Sequence, residues 1–376
     1  MENTSENIEK TGIEIEVEDL GQEIITKPYD PEKIKIDHQN VDLGFLLEKL
    51  EYNEIDLMPD FQREGDLWDN IKKSQLIESI LLGLPLPSFY FSVDAKTDKW
   101  QVVDGLQRLS TFQAFWVKKT LKLEGLEFLD SYDGKSYSDL TRADLRKISG
   151  FKVNLYVIEK ETPKEAKFLI FKRVNTGGLI LTPQEMRHAL NQGIPADFIK
   201  GLSQLESFKK ATDYRIPSKR QEDRDFVNRF IAFYLLGYEE GYKGELDAFL
   251  NDGMAKLEQI SIEERNNVKS NFKDAMEISY KIFGNDAFRK RYDLNERRKP
   301  ISKAVFDSIS VNIAWLSKQD KAELLNKKDL IKHELINLFN SDERFHRSIT
   351  TATGQKANVV YRFEKIKTLF NEVLRS

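Results

Sequence analysis

Cysteine is missing from all 376 residues, so the chain can form no disulfide, thiolate metal site or cysteine nucleophile, which fits a reducing, cytoplasmic setting. Histidine is scarce: His38, His188, His333 and His346 stand far apart, and a histidine-rich metal site is not expected. No stretch comes near the roughly 18 to 20 consecutive apolar residues of a membrane span. The opening MENTSENIEK has no basic segment followed by an apolar one, so neither membrane insertion nor export is expected. There is no Gly-x-x-x-x-Gly-Lys-Ser/Thr loop, no Gly-x-Gly-x-x-Gly, no Gly-x-Ser-x-Gly and no His-Glu-x-x-His. A Walker-type hydrolase, a nicotinamide enzyme, a serine esterase and a zinc peptidase all lose support.

What is present is ample apolar material. Hydrophobic residues make up 40% and aromatics 11%, with 24 Phe and 13 Tyr, enough to fill cores and too much for a disordered chain. The length exceeds what one core usually organises, so two domains are expected. The net charge of -4 conceals an asymmetry: residues 1–33 hold ten acidic side chains and three lysines, -7 in all, leaving the rest at +3. That acidic leader reads as a flexible, solvated tail, although the alternation from Ile13 to Val17 would also suit a short edge strand.

Apolar spacing predicts helices over Val41–Tyr52, capped by Asp42, and from Asp69 to the Gly83 and Pro85-Leu86-Pro87 stop. Between them, Pro59 and the mixed polar and aromatic residues Asp60–Trp68 read as a strand end and a loop. Alternation predicts strands at Phe89–Val93, Trp100–Val103 and Lys152–Ile158, and a helix over Leu109–Trp116. Thr162-Pro163-Lys164-Glu165 and Leu181-Thr182-Pro183-Gln184-Glu185 each open a helix. From Ala196 onward the strand signal fades and helical patterns dominate. The expected fold class is α+β: an acidic tail over 1–33, an α/β domain over 34–195 and a helical domain over 196–376.

The segment Asp104-Gly105-Leu106-Gln107-Arg108 falls where a strand ends and a helix begins, a junction whose free N–H groups and helix dipole favour an anion. Gly105 would let the backbone approach a phosphate, Arg108 supplies a two-pronged donor, and Asp104 could hold a divalent cation or activate water. An ordinary turn with a surface arginine looks the same in isolation. The context upstream decides: helix, Gly83-Leu84-Pro85-Leu86-Pro87, strand, turn, strand, Asp-Gly-x-x-Arg, helix. With Pro59-Asp60-Phe61-Gln62-Arg63, Leu76–Ile80, Val103–Thr111 and Phe171–Gly178, in that order over about 120 residues, the chain resembles the amino-terminal domain of GmrSD-type restriction proteins, in the ParB and sulfiredoxin-like superfamily.

The resemblance implies a ParB-like nucleotide-binding domain whose Asp-Gly-Gln-Gln-Arg motif contacts a nucleoside triphosphate and supports its Mg2+-dependent hydrolysis, in defence against foreign or modified DNA. It implies catalytic roles for Asp104, which also takes the metal, and for Gln107 and Arg108, with nucleotide contacts extending to Ser110 and Thr111. Here Leu106 stands where the family has glutamine, leaving Gln107 to orient water. The family commonly adds a histidine-containing nuclease domain; no His-Asn-His-like grouping is visible, so a nuclease or methyltransferase partner is expected to be separate.

Further candidates each carry a plainer alternative. Gln62 and Arg63 contact phosphate or base, or form a partly buried stem with its head in water. Glu78 is a catalytic carboxylate near Asp104, or a solvated helix position. Arg173, Asn175, Gly177 and Gly178 form a second anion-cradling loop, or merely end a helix. Phe288–Lys303 has seven basic and two acidic residues with Phe288 and Tyr292 interleaved, so Arg289, Lys290, Arg291, Arg297, Arg298 and Lys299 suit contacts to DNA, or a solvated loop. Three functional classes remain open: an NTPase, a nonhydrolytic nucleotide-gated DNA clamp or adaptor, and a nuclease. A homo-oligomer is compatible with each.

Overall fold

The computed structural model describes residues 12–14, 31–57, 68–94, 97–174, 182–191 and 193–376. The chain divides into two compact units, Lys27–Leu181 and Thr182–Ser376, the latter taking in residues 12–14. The division at Leu181 falls earlier than the expected 195, because the helix opened by Thr182 packs with the helical unit.

The first unit is built on a five-stranded mixed sheet of order β1-β5-β3-β4-β2. Its elements are β1 (Ile36–Asp42), α1 (Leu43–Glu51), β2 (Ile55–Asp56), α2 (Asn70–Leu82), β3 (Phe89–Val93), β4 (Trp100–Asp104), α3 (Leu106–Phe112), α4 (Arg142–Ser149), β5 (Lys152–Ile158) and α5 (Lys164–Val174). A wider turn, Gln113–Val117, continues α3. β1 runs antiparallel to β5, β5 parallel to β3, β3 antiparallel to β4 and β4 parallel to β2. Period-two alternation sends Val153, Leu155, Val157, Phe89 and Phe91 to one face, where Leu46, Leu50, Ile77, Ile80, Leu109 and Phe112 from α1, α2 and α3 close the core.

Most local expectations match, but the helix expected over Leu109–Trp116 begins at Leu106, directly after Gly105, and is α-helical only to Phe112. Asp69 caps α2 by accepting the Lys72 N–H at 2.8 Å, and Gly83 ends it in the left-handed region at φ 81°. Asp42, expected as a cap, is the last residue of β1; its side chain caps nothing and pairs with Lys152 at 2.9 Å. β1 itself goes unannounced in the sequence: IDHQNVD has little apolar alternation, and only pairing with β5 makes it a strand.

The second unit is helical: α6 (Pro183–Leu190), α7 (Ile194–Ser203), α8 (Glu206–Ala211), α9 (Glu222–Leu236), α10 (Leu246–Gln259), α11 (Ile262–Phe283), α12 (Lys303–Trp315), α13 (Lys318–Asn326), α14 (Lys328–Ser341), α15 (Glu343–Ser348) and α16 (Lys356–Arg375). A phenylalanine-rich core joins them: Phe306 meets Phe208, Phe226 and Phe288, and Phe233 meets Phe249 and Phe363. Inside it, Asp307 is fully buried and held by the Arg229 fork at 2.6 to 3.2 Å, with Arg362 at 3.7 Å.

The acidic leader is not solvated throughout. Ile13 is buried and bridges Ile301, with the Glu14 N–H donating to the Ile301 carbonyl at 2.8 Å, while the Glu14 carboxylate pairs with Lys290 at 2.5 Å. An apolar residue beside a carboxylate lets this piece of an acidic stretch bury one side chain and neutralise another. Among the described residues no helix is long and apolar enough to cross a membrane.

Candidate functional site

Strand β4 ends at Asp104, and Gly105 turns the chain into α3 with φ 101°. A Cβ on Gly105 would sit 2.5 Å from Phe89 Cδ1, so both the backbone conformation and the packing require glycine. The motif's arginine turns inward. Arg108 is 8% exposed, and its guanidinium donates to the Pro87 carbonyl, to the Ser88 carbonyl at 3.1 Å and to Asp104 Oδ2 at 2.9 Å, while lying 4.3 Å from the Phe89 ring centre. Burial draws its pKa below the usual arginine range and Asp104 opposes the shift; the group remains a cation.

This explains why Gly-x-Pro-x-Pro and Asp-Gly-x-x-Arg occur together. The Pro87 and Ser88 carbonyls of the segment entering β3 both accept from the Arg108 guanidinium on α3. In this structure the Arg108 guanidinium is engaged within the fold, by Pro87, Ser88 and Asp104.

Glu78 is likewise not solvated. Its carboxylate is 3% exposed and accepts the N–H groups of Phe128 at 2.7 Å and Leu129 at 2.8 Å on one oxygen and of Glu127 at 3.1 Å on the other. Burial pushes its pKa up, but the three amides together prevail and hold it below the usual glutamate range. The carboxyl fixes the loop at 127–129, and a fully engaged carboxylate is a poor proton acceptor.

The other candidates divide three ways. Thr111 is buried and bonds back to the Gln107 carbonyl at 2.8 Å, so its hydroxyl serves α3. Gln107 and Ser110 lie half-buried on α3, and Arg173 is exposed near the end of α5. Gln62, Arg63, Asn175, Gly177 and Gly178 lie outside the described residues.

For a magnesium ion, Asp104 has only one oxygen not engaged by Arg108, and among the described residues no group of three His, Asp or Glu could hold a metal. The donor set suits an ion brought in on phosphate oxygens, with Asp104 as a single protein ligand, rather than a site made by the protein.

The basic run of the helical unit is largely internal. Arg289 donates to the carbonyls of Asn285 and Lys299 and pairs with Asp213 at 3.4 Å. Lys290 pairs with Glu14, and Arg291 donates to the carbonyls of Glu296 and Leu294. All three are at least nine-tenths buried and knit the loop. Arg297 and Arg298 are exposed, and Lys299 lies 3.7 Å over the Tyr292 ring, which borders a cavity of about 540 Å3 also lined by His346 and Arg347.

Alternation along β3 and β5 also puts rings where none was singled out. On the face opposite the core, His38, Tyr156, Tyr90 and Asp104 are register neighbours across β1, β5, β3 and β4. His38 stacks on Tyr156 at 4.7 Å and 24°, and Tyr156 on Tyr90 at 4.8 Å and 12°. The available signal was the parity of Tyr90 against Phe89 and Phe91; the row itself needs the pairing.

The fold and this corner define an α+β domain with a strand-to-helix turn at the end of β4, joined to an all-helical domain. Residues 46–192 match the GmrSD restriction endonuclease N-terminal domain, and this segment belongs to that domain family. The match ties the first unit to restriction systems. No curated protein and no solved structure matches the chain.

Proposed function

We propose that the first unit is a nucleotide-binding module acting in restriction of foreign or modified DNA, with a nucleoside triphosphate lodged at the Asp104–Arg108 corner. The match to the GmrSD N-terminal domain carries this reading. The corner supports it: Gly105 keeps a side chain away from the turn, and half-buried Gln107 and Ser110 follow on α3. Asp104 would take the Mg2+ that accompanies the phosphates. Exposed Arg297 and Arg298 on the helical unit are the candidates for DNA contact, and a separate nuclease or methyltransferase would act as effector.

The geometry favours holding nucleotide over rapid turnover. Arg108 is bonded to two carbonyls and an aspartate, Glu78 to three amides, and Leu106 replaces an amide side chain. The nucleotide then works as a switch, as in a nonhydrolytic clamp. Calorimetric titration with nucleoside triphosphate and Mg2+, beside a phosphate-release assay, tests both parts. Binding weakened by Gln107→Ala, with release far below the roughly 1 per second of ordinary enzymes, is expected. Absence of binding overturns the nucleotide reading; turnover at ordinary rates restores the NTPase.

A further inference from the structure

We propose that the base of the bound nucleotide stacks on the outer face of Tyr90, the last ring of the His38–Tyr156–Tyr90 row, and that this stacking tolerates any base. The inference rests on the reading of the Asp104–Arg108 corner as the phosphate site and adds what holds the rest of the ligand.

Three observations converge. The rings stand on the sheet face opposite the one closed by α1, α2 and α3: β3 sends Phe89 and Phe91 inward to full burial and leaves Tyr90 half-buried, and β5 does the same with Leu155 and Val157 around Tyr156, while Ser92 and Ile158 further along the ring-bearing face are buried. The ring planes are nearly parallel, so the row has a direction across the strands, and it ends at Tyr90. Among the described residues Tyr156 is the one ring stacked on Tyr90, and no lysine or arginine lies over it. The next register position toward the corner is Asp104, a short side chain drawn to Arg108. Beyond it comes Gly105, with no side chain at all. A flat aromatic surface therefore lies one register position from Asp104, at the start of the proposed phosphate site.

A planar heterocycle matches such a surface, since every base offers a π-face and stacking asks for no hydrogen-bond pattern. The competing account is that the row only stiffens the sheet, as cross-strand aromatic pairs do. Both accounts let Tyr90 substitutions alter melting, but only base stacking makes Tyr90 matter for nucleotides and not for bare phosphate.

The experiment uses the full chain with Mg2+ and titrates ATP, GTP, CTP, UTP and inorganic tripolyphosphate against wild type, Tyr90→Phe and Tyr90→Thr, each checked by circular dichroism. The expected result is four nucleotides bound within about five-fold of one another, each about ten-fold or more tighter than tripolyphosphate. Tyr90→Phe keeps that margin; Tyr90→Thr loses it and leaves tripolyphosphate affinity unchanged. If Tyr90→Thr does not fold, the wild-type margin and its retention in Tyr90→Phe still decide. Tripolyphosphate binding wild type as tightly as nucleotides, an intact margin in folded Tyr90→Thr, or a preference for one base above about fifty-fold overturns the stacking and leaves the nucleotide site standing. Failure of every probe to bind overturns the site and the stacking together.

Discussion

Glu78 offers the sharpest test of the physical reasoning, because a residue expected at a catalytic centre turns out to hold a loop. One carboxylate oxygen takes the Phe128 and Leu129 amides and the other takes Glu127. In Glu78→Gln the amide oxygen can keep the first pair, now without charge assistance, while the new NH2 meets the Glu127 N–H donor to donor. With hydrogen bonds to a charged group worth roughly 1.5 to 3 kcal/mol each, that change costs about 2 kcal/mol. Glu78→Ala abandons all three amides but admits water to an exposed loop, and should cost about 3 kcal/mol. Urea unfolding reads both as midpoint shifts at constant slope. The pH sign follows from a folded pKa below the ordinary glutamate value of 4.5. The carboxylate's contribution is complete above the unfolded pKa and disappears as pH falls through the lower, folded one. Wild type should therefore lose its advantage over Glu78→Gln on acidification below about pH 4.5. A Glu78→Gln protein within about 0.5 kcal/mol of wild type at pH 7, or a gap that persists undiminished in acid, would refute the assignment.

Gly105→Ala should destabilise the first unit by about 2 kcal/mol or more, seen as a lower melting temperature, since the new methyl meets Phe89 at 2.5 Å on a backbone at φ 101°. Asp307→Asn breaks the buried Arg229 fork and should cost about 3 to 5 kcal/mol, measured by denaturant unfolding of the helical unit. If the helical unit contacts DNA, Arg297→Ala with Arg298→Ala should weaken binding uniformly across sequences and flatten the salt dependence in filter binding, without loss of stability. Arg291→Ala, by contrast, should lower the melting temperature, because its partners are the loop's own carbonyls.

Motif order was legible in the chain because each motif is local. Gly83, Gly105 and the Thr182–Glu185 capping box are set by conformations a few residues long, so α2, α3 and α6 could be placed, and the family with them. Side-chain destination was not legible. Arg108, Glu78 and Arg289–Arg291 look in sequence like charges waiting for a ligand, and the fold supplies each with carbonyls, amides or acids from segments far away along the chain. A polar group needs partners wherever it is buried, and the sequence does not say which carbonyls a strand or loop will leave unpaired.

By itself, then, the sequence determined the class: no cysteine chemistry, no Walker loop, strands then helices, and a turn of Asp-Gly-x-x-Arg type at a strand end. Tertiary structure alone decided that β1 is a strand, that Ile13 leaves water, that the motif arginine faces inward, and that His38, Tyr156 and Tyr90 form one row. Period and capping are properties of neighbours in the chain, whereas burial and register are properties of neighbours in space, and these come into being only when the strands pair.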